Sequence, residues 1–285
     1  MPDILTRLQK SLKENTLNKT KTPLHCLSVY QCYKPQMLHR VPFNQPTLLM
    51  VAKGHKEVEV NSLKMTVRSG GLLLIPSDTT VWLGQYPDNE DRQYLGLAFR
   101  FDFEALKHFR LIYGSSLEQW DISAQWQSKT PDSILASLEQ WVNWEKYLSA
   151  DSQLIHHRQV ELLLLLAQEG LVGNILLGEH PSWKQRVSQL LAINPAQSWQ
   201  IGHVCSRLAV SESSLRRKLQ AEDCSFRELL EDVRLTSGLS MLLETPHPIG
   251  QIAMSVGYQS QSRFGERFKQ RFGMTPTELR RTLDA

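Results

Sequence analysis

The hydrophobic period of this 285-residue chain changes near Phe101, and that change constrains the fold more than any other feature. From residue 24 to 101, apolar and polar residues alternate in short runs, and Asn61-Ser62 and Gly70-Gly71 separate runs as turns. Beyond Phe101, apolar residues recur every three to four positions, as on one face of a helix. Short strands without intervening helices predict an antiparallel sandwich or barrel, and the later period predicts helices flanking it.

The helical segments after Phe101 end in a glycine-rich stretch. The segment from about Ser152 to Gln168 carries the run VELLLLLA, which is apolar almost all round. Such a helix is buried, either within its own domain or against a second subunit. Three glycines and Pro181 follow it. We therefore predict a domain at 1–170, a linker at 171–181 and a second domain at 182–283.

The charges are distributed unevenly between the two parts. Residues 1–180 carry 18 basic and 19 acidic side chains, a net charge of −1, whereas residues 181–285 carry 14 and 10, a net charge of +4. A basic half next to a near-neutral half suggests a nucleic-acid or membrane partner for the basic half. Solvated helix faces are the alternative explanation.

The basic part contains one helical layout twice. The first copy, at about 201–222, is a short helix, a turn, and a second helix capped by Ser211, on which Leu215 and Leu219 face inward. The second copy, at about 249–272, repeats this layout with a cap at Ser260 and inward-facing phenylalanines. Each copy is predicted to be a helix-turn-helix unit.

The distance between the two units favours DNA as the partner. A helix from about Ser225 to Glu244 separates them. Twenty residues in a helix span roughly 30 Å. Successive major grooves on one face of DNA are about 34 Å apart. A rigid helix of that length can therefore hold two recognition helices in successive grooves.

Residues 182–283 resemble the DNA-binding domain of the AraC/XylS family of transcription regulators. The resemblance is carried by IAMSVGYQSQSRFGERFKQRFGMTPTELR at 252–280, LAVSESSLRRKLQAE at 208–222 and SFRELLEDVRL at 225–235. Less specifically, LLMVAKGHKEVEV at 48–60 resembles the cupin-like β-barrel that senses effectors or dimerises in that family. The resemblance implies a homodimeric regulator of promoter DNA, more often an activator that contacts RNA polymerase than a repressor.

Three positions depart from the family pattern. Gly238 stands in the long helix where alanine is usual, at a cost of about 1 kcal/mol in helix propensity, and permits either close packing or a bend. Cys224 replaces a common glycine. Glu266 replaces a common arginine; a carboxylate repels phosphate and accepts only from a cytosine amino group.

The outward positions of the two recognition helices give the candidate DNA contacts. Arginine pairs with guanine and glutamine with adenine, so base reading is assigned to Ser213, Arg216, Arg217 and Gln220 in the first unit, and to Gln261, Ser262, Arg263 and Glu266 in the second. Phosphate binding is assigned to Lys269, Arg271, Arg280 and the cap amides at Ser211, Ser260 and Thr275, with Arg267 and Arg263 compensating for Glu266. For each arginine, a solvated or ion-paired side chain is the alternative.

The sequence gives no sign of catalysis. The histidines His25, His39 and His55 stand alone, His156-His157 point different ways on a helix, and no nucleophile signature is present. We therefore expect no enzyme activity, no metal and no cofactor. Four cysteines in a chain of this length do not form a disulfide framework, so a cytoplasmic protein is expected. The longest apolar run is six residues, so no membrane span is expected.

The signal that controls the protein is less defined. A small-molecule effector in the N-terminal domain is the first hypothesis, and control by a protein partner or by dimerisation alone is the second. Trp82, Tyr94, Phe99 and Met50 suit a pocket lining, although core packing explains them equally well. Cys26 and Cys32 suit a redox sensor, but lone buried thiols are commoner. No effector-binding residue is assigned from the sequence.

Overall fold

The computed structural model describes residues 3–17, 26–121, 123–144, 153–176 and 181–284. Helix α1 (Ile4–Leu17) precedes eight short strands. In order, these are β1 (Leu27–Cys32), β2 (Gln36–Phe43), β3 (Thr47–Lys53), β4 (His55–Val60), β5 (Leu63–Arg68), β6 (Gly71–Ile75), β7 (Thr79–Tyr86) and β8 (Tyr94–Arg100). The rest of the N-terminal domain is α2 (Phe103–Tyr113), a 3₁₀ turn (Gly114–Gln119), β9 (Gln127–Lys129), α3 (Asp132–Trp144), α4 (Gln153–Gln168) and α5 (Gly173–Leu176).

The strands form two antiparallel sheets, so the sandwich is found of the two architectures predicted from the strand pattern. The cupin-like antiparallel architecture implied by the resemblance is confirmed, but the barrel is not closed. One sheet has the order β1-β8-β3-β6-β9 and the other the order β2-β7-β4-β5. In the described ranges no ladder joins an edge strand of one sheet to an edge strand of the other. The sheets instead face each other across an apolar layer.

The five-stranded sheet is buried on both faces. On β3, Leu48 and Met50 face the helical layer, whereas Leu49 and Val51 face the second sheet. The same alternation holds along β6, which explains why the run at 72–76 is apolar without interruption. The sheet therefore forms the centre of the N-terminal domain.

Helix α4 packs within its own domain on most of its circumference. Leu162, Leu163 and Leu166 are fully buried in the core that also contains Trp141. The core extends along the chain through 171–176, where the Asn174 amide donates to the Leu74 carbonyl oxygen at 2.9 Å. The first six residues of the segment predicted as a linker therefore pack as part of the N-terminal domain, and 177–180 lie outside the described residues.

The C-terminal domain is helical throughout its described length. It consists of α6 (Trp183–Ala192), α7 (Ile201–Leu208), α8 (Glu212–Gln220), α9 (Phe226–Glu244), α10 (Ile249–Ser255), α11 (Gln261–Phe272) and α12 (Pro276–Arg281). Helices α7–α8 and α10–α11 are the two units predicted from sequence. The first unit has its own apolar core, while the core of the second is continuous with the layer between the sheets.

Candidate nucleic-acid interface and interdomain cavity

The first unit presents the predicted side chains to solvent. The Ala209 backbone is left-handed, with φ of 52°, and turns the chain between α7 and α8. The Ser211 hydroxyl then accepts from the Ser214 amide at 3.3 Å and caps α8. Because Leu215 and Leu219 are buried, the opposite face carries exposed polar residues, namely Glu212, Ser213, Arg216, Arg217 and Gln220.

The two adjacent arginines of α8 differ in their partners. Arg216 donates through Nε and a terminal nitrogen to the same Glu212 oxygen, at 3.0 and 2.6 Å. Within the part of the chain that the structure describes, the Arg217 side chain forms no hydrogen bond or ion pair. Arg217 is therefore the more available of the two for a nucleic-acid base.

The second unit exposes five of its predicted contacts. The Ser260 hydroxyl accepts from the Arg263 amide at 3.3 Å and caps α11. Phe264 and Phe268 are buried, which leaves a polar face outside: Gln261, Ser262, Arg263, Glu266 and Lys269.

Two predicted phosphate ligands turn toward the long helix instead. Arg267 forms a two-pronged ion pair with Glu231, with nitrogen–oxygen distances of 2.5 and 2.6 Å. The Arg271 side chain is 10% exposed and lies 3.3 Å from the Asp232 carboxylate. These pairs fix α11 on α9. Arg271 is thereby withdrawn from the face formed by the other candidates, whereas Arg267 keeps 40% exposure and lines the same groove as Arg263 and Glu266.

Helix α9 holds the two units at a fixed distance. Its 19 residues span roughly 28 Å. Gly238 serves close packing: a Cβ atom there would lie 2.8 Å from the Phe264 ring. Arg234 donates to the carbonyl oxygens of Pro195 and Gln197 at 3.0 and 3.2 Å.

The Arg234 guanidinium also lies directly under Gly257, where a Cβ atom would be 2.9 Å from it and φ is +89°. Arg234 therefore ties the loop before the first unit to the turn of the second. This role of Arg234 could not be predicted from the sequence, where the residue is only a charged position within an amphipathic helix.

A cavity of about 540 Å³ lies between the two domains. Strands of both sheets form one side, and α9 closes the other side through residues such as Leu239, Leu243 and Glu244. Most of the wall is apolar. The three charged residues of the lining are Lys56, Arg100 and Glu244. The volume falls in the range of about 300–1,000 Å³ typical of small-molecule sites.

Lys56 is an unusual residue for a cavity wall, because it is 4% exposed. Burial lowers the pKa of its amine to about 8, and burial raises the pKa of the neighbouring Cys32 thiol to about 12. The amine lies 5.3 Å from the centre of the Tyr94 ring. It donates no hydrogen bond to any residue in the described ranges. A buried amine without an acceptor is suited to an anionic ligand.

Two polar chains run from the cavity to the C-terminal domain. In the first, Arg100 donates to the Ser28 hydroxyl at 2.9 Å, and Ser28 donates to Glu244 at 2.7 Å. In the second, the Gln85 amide donates to Gln36 at 3.1 Å, and Gln36 donates to the Thr282 hydroxyl at 2.6 Å.

The second chain is reinforced by the backbone, since the Tyr33 amide donates to the Thr282 carbonyl oxygen at 2.8 Å. The cavity lining therefore includes residues of both polar chains, namely Arg100 and Glu244 of the first and Gln85 of the second.

The pocket candidates from sequence lie elsewhere. Met50 and Phe99 are fully buried in the core beneath the helical layer, and Tyr94 is 1% exposed between the sheets. Trp82 does not line the cavity. Cys26 and Cys32 are buried and form no disulfide. The described residues contain no cluster of three metal-ligating side chains. In those same ranges, none of the helices has the length and apolar character needed to cross a membrane.

Comparisons with known proteins agree on the C-terminal domain. Residues 204–282 match a family described as "Helix-turn-helix domain". The chain is 33% identical over 98 residues to the transcriptional activator FapR of Escherichia coli, covering 34% of this chain and 38% of that one. It is 32% identical over 117 residues to the transcriptional regulator GadX of Escherichia coli K12, covering 41% and 43%. The matches thus span about two fifths of these relatives' lengths.

Longer matches extend over the N-terminal domain. The transcriptional activator CfaD of Escherichia coli is 24% identical over 195 residues, covering 66% of this chain and 72% of that one. The structure of ToxT from Vibrio cholerae superposes with a TM-score of 0.63 at 15% identity, covering 90% of this chain and 97% of ToxT. A ToxT structure with a bound unsaturated fatty acid gives a TM-score of 0.61, also at 15% identity, over 93% and 98%. The two-domain fold is therefore that of ToxT, and residues 204–282 form a helix-turn-helix domain similar to those of AraC-type transcriptional regulators.

Proposed function

We propose that this chain is a DNA-binding transcription regulator whose two units read successive major grooves, and whose activity a small molecule in the interdomain cavity controls. The observation that carries the first part is the geometry of α9, which holds two capped helices with exposed polar faces. The names of FapR and CfaD, both activators, favour activation. We further propose a cytoplasmic homodimer that contacts RNA polymerase, as the family resemblance implies.

Rigid spacing of the units makes a prediction about the DNA site. Sites selected by the full-length protein from random duplex DNA should contain two short segments centred about 10 bp apart. Inserting about 5 bp turns one segment to the opposite face, and inserting about 10 bp restores the face but adds a helical turn. Both insertions should weaken binding at least tenfold, because α9 cannot lengthen. Gel-shift titrations test this, and tight binding to the longer spacer would contradict it.

The second part of the proposal rests on Lys56. A buried amine in an apolar cavity favours an amphipathic molecule with an acidic group, and the fatty acid in the ToxT structure supports this class. Control by a protein partner or by dimerisation alone is the alternative. It gives no reason for a buried lysine without an acceptor.

Substitution of Lys56 tests the effector site. Lys56→Met should weaken dodecanoate binding at least tenfold by calorimetry, because it removes the cation and keeps the volume. Lys53→Met is the matched control, since Lys53 pairs with Asp88 and Asp91 outside the cavity. Equal affinities of the two variants would contradict the assignment.

The pH dependence of dodecanoate binding follows from the lowered pKa of Lys56. Below pH 8 the amine carries its charge, and above it the charge is lost. Affinity should therefore be constant between about pH 6 and 7, where the dodecanoate carboxylate is also ionised, and fall as pH rises through about 8. The Cys32 thiol, with a pKa of about 12, stays neutral across this range, and the other charged groups that face the cavity are Arg100 and Glu244. Lys56→Met should lose this dependence.

A further inference from the structure

We propose that the Glu244 carboxylate competes with an anionic effector for the cationic end of the cavity, so that effector binding releases α9 from the N-terminal domain. The proposal rests on the proposed effector site and adds how that site communicates with the DNA-binding domain. It assigns to Glu244 a role in both effector affinity and domain docking.

The position of Glu244 requires compensation. It is the last residue of α9, where the helix dipole places partial negative charge and disfavours a carboxylate. Ser28 donates to this carboxylate at 2.7 Å, and Arg100 donates to the same serine at 2.9 Å. The Tyr30 hydroxyl lies against Ser28 and Arg100, and burial raises its pKa, so it remains neutral. Glu244 thus owes its favourable surroundings to the N-terminal domain.

The charges of the cavity wall lead to competition. The lining carries a net charge of +1 when Glu244 is included. Without the Glu244 charge, Lys56 and Arg100 give the lining a net charge of +2. An incoming carboxylate is attracted by the two cations and repelled by Glu244. Because coupling between two sites is reciprocal, a ligand that is weakened by Glu244 must in turn weaken the contact of Glu244 with Ser28.

The second polar chain limits how far the domains separate. Gln36, Thr282 and the Tyr33 amide are joined by hydrogen bonds between uncharged groups, so they carry no charge that a carboxylate would displace. Docking should therefore loosen at the end of α9 and persist at the end of α12. The expected change is a rotation of the C-terminal domain about its contact with β2, which would alter how the recognition helices are presented.

Charge removal at Glu244 tests the competition. Glu244→Gln keeps the size and the acceptor for Ser28 and should bind dodecanoate about tenfold more tightly than the wild type, while 1-dodecanol binding changes less than twofold. Glu59→Gln, which removes an equal charge from an ion pair with Lys64 outside the cavity, should change neither affinity. Ser28→Ala should also tighten dodecanoate binding, by about threefold. It provides a second variant if Glu244→Gln fails to fold.

Hydrogen exchange of the wild-type protein provides an independent readout. Dodecanoate should speed exchange of the last turn of α9 at least threefold and leave the Tyr33 amide protected, whereas 1-dodecanol should do neither. Equal or weaker dodecanoate affinity in Glu244→Gln, or slower exchange at α9 with dodecanoate, would overturn the competition while leaving the effector site intact. Failure of the wild type to bind either probe would overturn the effector site and the competition together.

Discussion

Replacing Phe268 by alanine is expected to destabilise the second helix-turn-helix unit by about 3–5 kcal/mol. Phe264, Phe268 and Phe272 lie four residues apart on α11 and are all fully buried. The centre of the Phe268 ring is 5.4 Å from that of Phe264 and 4.7 Å from that of Phe272. Truncating the middle ring removes both contacts and leaves a cavity that α9 cannot fill, because its ion pairs with Arg267 and Arg271 hold it in place.

Hydrogen exchange of the α11 amides in the full-length chain measures this loss directly, since the two domains need not unfold together. Met254→Ala is the control within the same unit. Met254 is 67% exposed, so its truncation should change the free energy of opening by less than about 0.5 kcal/mol. A loss below about 1 kcal/mol in Phe268→Ala would mean that the second unit does not depend on this stack.

The features predicted correctly from sequence are those that neighbouring residues determine. The hydroxyl of a capping residue such as Ser211 or Ser260 accepts a hydrogen bond from the amide three residues further on. The position of the serine in the sequence therefore reveals the start of the helix. The pairs Leu215–Leu219 and Phe264–Phe268 lie four apart, and this spacing alone places them on one buried face. The two units and the long helix between them could therefore be located before any tertiary contact was known.

The features that sequence missed depend on residues far apart in the chain. Ser28 and Glu244 are separated by 216 positions, and Gln36 and Thr282 by 246. No periodicity links such residues, so neither the domain contacts nor the cavity could be predicted. The same reason explains Arg267, which looked solvent-facing on its own helix but pairs with Glu231, 36 positions earlier. Closure of the barrel likewise depends on the pairing of edge strands, which alternation of apolar residues does not specify.

Replacing Arg217 by alanine is expected to lower the preference for the selected DNA site over a scrambled one by a factor of roughly 5–150, while the protein stays folded. Arg217 is exposed on α8 between the capping turn and the C-terminal end of the helix, and no described residue pairs with it. A two-pronged contact of arginine with guanine is worth about 1–3 kcal/mol of discrimination, a factor of roughly 5–150. Binding to scrambled DNA should change little, because phosphate contacts elsewhere supply that affinity.

Titrations of both DNAs at one fixed salt concentration measure this discrimination. Arg216→Ala is the informative comparison. Because Arg216 must break its ion pair with Glu212 before it can contact a base, its replacement should reduce discrimination less than Arg217→Ala does. Lys107→Ala, at an exposed position of α2, removes the same charge from the N-terminal domain and should leave discrimination unchanged. If Arg217→Ala discriminates as well as the wild type, α8 reads its groove through other side chains, and the greater availability of Arg217 than of Arg216 has no bearing on recognition.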